Sequence, residues 1–317
     1  MSLALQVFLA FILDLILGDP RGYTHPVKLI ARLAYKLEAF SLRLISNKKM
    51  AGLATTIFVV LISYSAVFMI IALLNFFHIF AGILGSIFFI YTSLSIRSLV
   101  DESLPVYKFL KEKNLPEARK CLANIVGRDT QNLNEEEIAR AAVETVAEST
   151  VDGIIAPLFF AIIGGAPLAI AYKAVSTMDS LFGYKNEKYI DFGWASARLD
   201  DLANWLPARL AIPTLSAGAA LCGFNGSKAW AIACRDGSKH PSPNAGISEA
   251  AIAGALGIQL GGTSYYSGVQ NNKPLLGEAI RKPEIADITN SQKIMFVSAS
   301  LALTLFAGLY QLLFIFW

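Results

Sequence analysis

Glu144, Glu148 and Asp152 stand four residues apart, and Arg140 lies four residues before the first of them. On a helix that spacing puts all four groups on one face. Three carboxylates in a stripe can hold a hard cation such as Mg²⁺, which takes oxygen ligands and keeps waters for substrate phosphates. The same spacing also describes a solvated helix face with an Arg140–Glu144 ion pair, and the pattern admits both readings. Gly153 and Pro157 interrupt the regularity directly after Asp152.

A second acidic cluster is Asp200-Asp201, two residues after Arg198 and flanked by Asp179, Asp191 and Arg209. Adjacent carboxylates repel unless a cation or a guanidinium relieves them. Such a doublet is weak evidence by itself and gains weight from the acids, the arginine, the glycines and the aromatics around it. Arg128, Arg140, Arg198 and Arg209 are candidate phosphate clamps, because the planar guanidinium fork matches phosphate oxygens. Each could instead lay its stem along apolar surface and keep its charge at an interface.

Residues 235–254, RDGSKHPSPNAGISEAAIAG, form a third cluster. Its prolines and glycines predict a stiff loop before an Ala-rich helix, capped by Asn244 or Ser248, whose free N–H groups can meet an anion. His240 and Glu249 are its titratable members, although a lone loop histidine before proline also has a purely structural reading. Asp19, Arg21 and His25 make a fourth polar patch. The chain has no GxxxxGK[ST] loop, no GxGxxG turn and no GxSxG elbow. Gly164-Gly165 and Gly261-Gly262 lie in apolar runs and read as packing glycines.

These groups must be positioned by a very apolar chain. Of 317 residues 55% are hydrophobic and 16% charged, with mean hydropathy +0.51. Soluble domains carry about 25% charged residues, so the composition predicts an integral membrane protein. The net charge of +3 is too small to imply nucleic-acid binding. Cys121, Cys222 and Cys234 show neither metal spacing nor an even count for a disulfide framework.

The first 20 residues lack a signal peptide's basic start and cleavage site and read as a retained span containing Asp14. Met50 to Ile96 holds no Asp, Glu, Lys or Arg, which suits two spans turning at Asn75–His78. Residues 294–317 are another uncharged run. Gly153–Tyr172, Leu210–Ser227 and Ala250–Gly262 are interrupted by Gly, Pro or small residues and predict broken or re-entrant helices buried in protein. Two short amphipathic helices are expected in 101–125, with Gly127 as a stop, and Asn134 with Glu137 predicts a capped helix start. Lys and Arg crowd 18–49 and 97–140, so both segments belong on the cytoplasmic side. The expected fold is an all-α polytopic membrane protein, a helical bundle with several broken or re-entrant helices and a cytoplasm-facing polar pocket. It reads as one membrane-embedded domain over 1–317, with 97–150 a cytoplasmic helical segment and 126–209 and 235–262 carrying the site.

Several stretches in the same order resemble the CbiB/CobD family of adenosylcobinamide-phosphate synthases: LDLILGDPRGYTHPVKLI, VGRDT, IARAAVETVAESTVDGIIAPLF, MDSLFGYKNEKYIDFGWASARLDDLANWLPARL, SPNAG and EAAIAGALGIQLGG. The resemblance implies an integral inner-membrane enzyme of cobalamin biosynthesis with a cytoplasmic active site. It implies ATP- and Mg²⁺-dependent ligation of adenosylcobyric acid to (R)-1-amino-2-propanol O-phosphate or the free amino alcohol. Other cobalamin-assembly enzymes at the membrane would be its partners. On that reading Glu144, Glu148 and Asp152 hold Mg²⁺. Arg128, Arg140, Arg209, His25, Asn244 and Glu249 bind substrate and phosphate, and Asp200, Asp201, Arg198 and Asp179 handle the chemistry, with Asp200 or Asp201 as the base that deprotonates the ammonium. The chain departs from the family pattern at Ser149 and Ser176, where Asn is usual, and at Ile247-Ser248, where an aromatic-Pro pair is common; this bears on which amine is accepted. Rival readings are a membrane prenyltransferase-like enzyme, which would show DDxxD-like repeats, a transporter, which would show two similar halves, and a non-catalytic homologue that binds corrinoid.

Overall fold

The structure, a computed structural model, describes residues 1–19, 25–184, 186–266 and 268–315. In chain order the helices are α1 (Leu3–Leu17), α2 (Pro26–Leu44), α3 (Lys48–Phe77), α4 (Ile79–Tyr91), α5 (Ile96–Lys111), α6 (Leu115–Ala123), α7 (Glu135–Thr150), α8 (Ala156–Phe182), α9 (Trp194–Leu221), α10 (Gly226–Asp236), α11 (Ala245–Leu256) and α12 (Ala286–Ile315). A π-helical turn, Val151–Ile155, joins α7 to α8. Strands β1 (Gln259–Tyr266) and β2 (Val269–Gly277) form an antiparallel hairpin with an irregularity between Leu260 and Gly262.

By length and composition, Lys48–Phe77, Ile79–Lys111, Glu135–Phe182 and Ala286–Leu312 can cross a membrane. The chain is an all-α polytopic membrane protein with one small sheet among the described residues. The N-terminal segment corrects the expectation of a full first span. α1 has 15 residues, about 22 Å of helix against a hydrocarbon core of about 30 Å. Gly18, at φ +61, ends it early. Leu210–Ser227 and Ala250–Gly262 are likewise not among the four spanning stretches.

Contacts group the chain into two compact units. The first comprises Met1–Ser95, Ala156–Asn204 and Leu305–Trp317; the second comprises Ile96–Ile155 and Trp205–Thr304. Both are discontinuous, so no single cut in the sequence separates them.

In the first unit α3 buries a stripe of small or hydroxyl residues, Ala51, Thr55, Val59 and Ser63, and exposes Phe58, Leu61, Phe68 and Leu73. Small residues let helices approach where lipid removes the hydrophobic drive for association. Thr55 Oγ1 lies 2.8 Å from Ser41 Oγ of α2. His78 makes the expected turn: its N–H donates to Leu74 O and its Nδ1 accepts from Phe80 N–H. α8 is broken at Gly164 and Gly165, whose φ values are −137° and +66°. Pro167, two residues further on, has no N–H to donate to the broken ladder.

The second unit contains both expected amphipathic helices, α5 and α6. Asn124 caps α6, three residues before the predicted stop at Gly127. α11 is buried along its whole length. It packs closely on α10, and a Cβ at Gly254 would lie 2.5 Å from Lys228 O. Gly257, at φ +67, then turns the chain into β1. The apolar reading of Ala250–Gly262 missed this: Gly261 and Gly262 sit in a strand at φ +85 and +82, not in a helix contact.

Candidate functional site

The best-defined polar cluster begins with the start of α7. Asn134 Oδ1 accepts from Glu137 N–H at 2.9 Å, and Glu137 Oε2 accepts from Asn134 N–H at 2.8 Å. This capping box fixes the helix phase. Ile138, Ala139, Ala141, Ala142, Val143, Val146 and Ala147 then bury one broad face, and Glu144 goes in with them, 2% exposed.

Both Glu144 oxygens are engaged. Arg128 Nη2 donates to Oε2 at 2.5 Å, and Gly261 N–H donates to Oε1 at 2.8 Å. Arg140 Nε stands 3.9 Å from Oε1, so the one-face pair is present but is the weaker contact. Burial, the largest single influence, would lower the Arg128 pKa, yet the charge and hydrogen bond of Glu144, with Tyr266 and Glu249, together hold the guanidinium above its ordinary value. Gly261 is required where it stands, because a Cβ there would meet Pro274 O at 2.1 Å. The Arg128 loop is tied to the hairpin tip: Asp129 N–H donates to Tyr265 O, and Asp129 Oδ2 accepts from Gly268 N–H.

Glu249 of α11 faces the same region and is wholly buried. Burial pushes its carboxyl well above the usual range, and the Glu144 and Glu148 charges push further against Lys273 and Arg128. His240 Nε2 lies 3.9 Å from Glu249 Oε1. The other ring nitrogen, Nδ1, accepts from Ser242 N–H at 3.1 Å, which assigns the proton of the neutral ring to Nε2. Burial, then the Lys273 charge, lowers the His240 pKa to about 4. Burial would also lower Lys273, but Glu249, Glu148 and Glu144 hold it above the ordinary lysine value. The second unit therefore brings together Arg128, Arg140, Glu144 and Glu249, with exposed Glu148 adding its field.

Asn244 and Arg209 form a separate pair, Arg209 Nη1 donating to Asn244 Oδ1 at 3.0 Å and to Trp205 O at 2.9 Å. Asn244 does not cap α11 with its side chain, nor does Ser248; Ser242 Oγ accepts from the N–H groups of Asn244 and Ala245 instead. Ser248 turns back on Ala245 O. Asp152 sits in the π-helical turn.

The remaining predicted residues belong to the first unit. Asp200 Oδ2 accepts from Asn204 Nδ2 at 3.0 Å, and Asn204 Oδ1 accepts from the Tyr172 hydroxyl at 2.8 Å. Asp201 Oδ2 lies 3.7 Å from Nη1 of exposed Arg198. Asp179 is half-buried near the end of α8. His25 caps α2, its Nδ1 accepting from Val27 N–H, with Asp19 3.7 Å from Nε2. Arg21 lies outside the described residues.

The expected metal stripe does not form a site in this arrangement. Among the described residues no group of three or more His, Cys, Asp or Glu is placed to hold a metal ion. Glu144 is committed to Arg128 and to the Gly261 N–H. The donor set does not fit a Mg²⁺ ion held by the protein alone.

Two members of the cluster escaped sequence reasoning: the Gly261 N–H and Lys273. The signal that could have found them is Tyr265-Tyr266-Ser267-Gly268-Val269, a turn pair between strand-forming residues. The apolar context of Gly261-Gly262 concealed it.

Fold and cluster together define a polytopic helical membrane protein with a buried carboxylate–guanidinium site under a β-hairpin. Comparison narrows the class. The profile described as CobD/Cbib protein matches residues 7–295, and the chain belongs to that family. It is 46% identical over 305 residues to the cobalamin biosynthesis protein CobD of Leptospira interrogans serogroup Icterohaemorrhagiae serovar copenhageni, covering 96% of this chain and 97% of the relative. It is 47% identical over 307 residues to CobD of Geobacter metallireducens, with 97% and 96% covered. Identity to the cobalamin biosynthesis protein CbiB of Salmonella typhi is 46% over 301 residues, with 94% of each chain covered. No solved structure matches the chain.

Proposed function

We propose that this protein acts in cobalamin biosynthesis as an ATP-dependent acid–amine ligase, joining adenosylcobyric acid to (R)-1-amino-2-propanol O-phosphate or the free amino alcohol. Family membership over 7–295 supports the pathway. The observation that carries the chemistry is the buried Arg128–Glu144 pair beside Glu249, fixed charge of both signs inside a membrane protein. Charge so placed is expensive unless it works. A propionate carboxylate is a poor acyl donor. Its oxygen attacks the terminal phosphorus of ATP, ADP leaves, and the amine then displaces phosphate from the acyl carbon. Arginines preorganised in a site of low dielectric stabilise the charge that develops during such transfers. Arg128, Arg140 and Arg209 are assigned to the phosphate groups. Magnesium enters as part of the nucleotide substrate. The crowding of Lys and Arg in 18–49 and 97–140 favours the cytoplasmic face of the inner membrane for the site.

The test is detergent-solubilised protein with adenosylcobyric acid, either amine and Mg-ATP, followed by mass spectrometry of the corrinoid and by ADP release. Stoichiometric ADP and amide support the ligase. Corrinoid binding with no amide from either amine identifies a non-catalytic homologue.

A further inference from the structure

Three buried polar atoms around α11 have no hydrogen-bond partner among the described residues: Oε1 and Oε2 of Glu249 and Nε2 of His240. They converge. His240 Nε2 and Glu249 Oε1 are 3.9 Å apart, too far for a direct hydrogen bond and close enough for one small group to bridge them. A buried polar group left unsatisfied costs about 1–3 kcal/mol, so three together call for a guest. The Ser242 N–H on Nδ1 makes Nε2 a donor, and the carboxylate offers two acceptors. A primary amine matches that set, with two N–H groups for the carboxylate and a lone pair for Nε2–H.

We propose that Glu249 and His240 form the amine subsite of the ligase, with Glu249 taking the proton that the substrate ammonium must lose. This rests on the ligase reading above and replaces Asp200 or Asp201 as the base, since those carboxylates already face Asn204 and Arg198. The ammonium passes one proton to the Glu249 carboxylate, giving a neutral amine and a neutral acid. The amine lone pair forms the C–N bond at the acyl phosphate, the C–O bond to phosphate breaks, and the second nitrogen proton leaves with that phosphate.

The surroundings suit the transfer. Glu144 and Glu148 of α7 face Glu249 with negative charge, Lys273 of β2 and Arg128 oppose them, and α10 presents apolar Ile232. Burial raises the affinity of Glu249 for a proton and so narrows its gap to an ammonium. Because Glu249 is fully enclosed, entry requires a covering element to lift.

A water molecule offers the same donor and acceptor pattern, and Glu249→Gln in the full-length solubilised protein separates the two. Hydroxylamine is largely unprotonated at neutral pH and needs no base. In the variant, amide formation with the amino alcohol is expected to fall roughly 100-fold or more relative to hydroxamate formation and to recover as pH rises. Equal amide rates in variant and wild type mean that the pocket holds only water and overturn the subsite, as does parallel loss of amide and hydroxamate in a folded variant. A wild-type protein that forms neither hydroxamate nor ADP sinks the ligase reading, and the subsite with it. If the variant does not fold, labelling of Glu249 by a hydrophobic carbodiimide in the wild type decides. Protection by the amine supports the proposal, and equal labelling with and without it overturns it.

Discussion

Arg128 and Glu144, sixteen residues apart in sequence, close a buried ion pair at 2.5 Å, with side chains 7% and 2% exposed. Neither charge has water to fall back on, so each depends on the other. Removing one partner of such a pair costs about 3–5 kcal/mol, because the survivor is left as an uncompensated buried charge. Glu144→Ala should therefore lower the melting temperature in detergent sharply, more than Glu148→Ala at its exposed neighbour. A melt unchanged by Glu144→Ala would show that the pair is not formed.

Gly261 supplies the other contact to Glu144, and its backbone leaves no room for a side chain. At φ +85 an alanine carries strain of about 1–3 kcal/mol, and its Cβ would meet Pro274 O. Gly261→Ala should destabilise the protein and release the hairpin, read as faster amide hydrogen exchange over 259–277. Gly127→Ala is the control: nothing lies within 4 Å of a Cβ there, and its melt should match the wild type.

His240 gives stability a defined pH dependence. Its folded pKa of about 4 lies below its ordinary value of 6.5, because burial disfavours the charged ring. The unfolded chain then binds the extra proton first, so stability from this group is complete above about pH 6.5 and is lost as pH falls towards 4. The shift corresponds to about 3 kcal/mol. Melts at pH 7 and pH 4.5 should differ less in His240→Gln than in wild type. An unaltered pH dependence would assign the effect to other groups.

Asn204 joins Tyr172 to Asp200. Asn204→Leu keeps the volume but removes both the acceptor for the Tyr172 hydroxyl and the donor to Asp200. The expected cost is about 1–3 kcal/mol in stability. An unshifted melt would show that the chain of bonds is dispensable.

Much of the frame was legible because it depends on local chemistry. Met50–Ile96 could be divided into two helices from its length and its missing charge, and the structure turns at His78. Asn134 and Glu137 announced the start of α7 because a capping box needs only residues three apart. Arg140–Glu144 was visible from helical spacing for the same reason.

What spacing could not reveal was where each carboxylate sends its oxygens. Glu144 looked like the first rung of a metal stripe with Glu148 and Asp152, yet its bonds go to Arg128 and to a strand N–H over a hundred residues away. Gly261-Gly262 looked like helix packing because apolar neighbours say nothing about backbone sign, and only the folded hairpin demands positive φ there. The sequence by itself determined the membrane class, the helix starts and the family resemblance, all of which follow from composition, short-range spacing and the order of motifs. The tertiary structure alone decided that Glu249 and His240 meet with unsatisfied polar atoms, because hydrogen-bond partners and burial are properties of distant segments brought together.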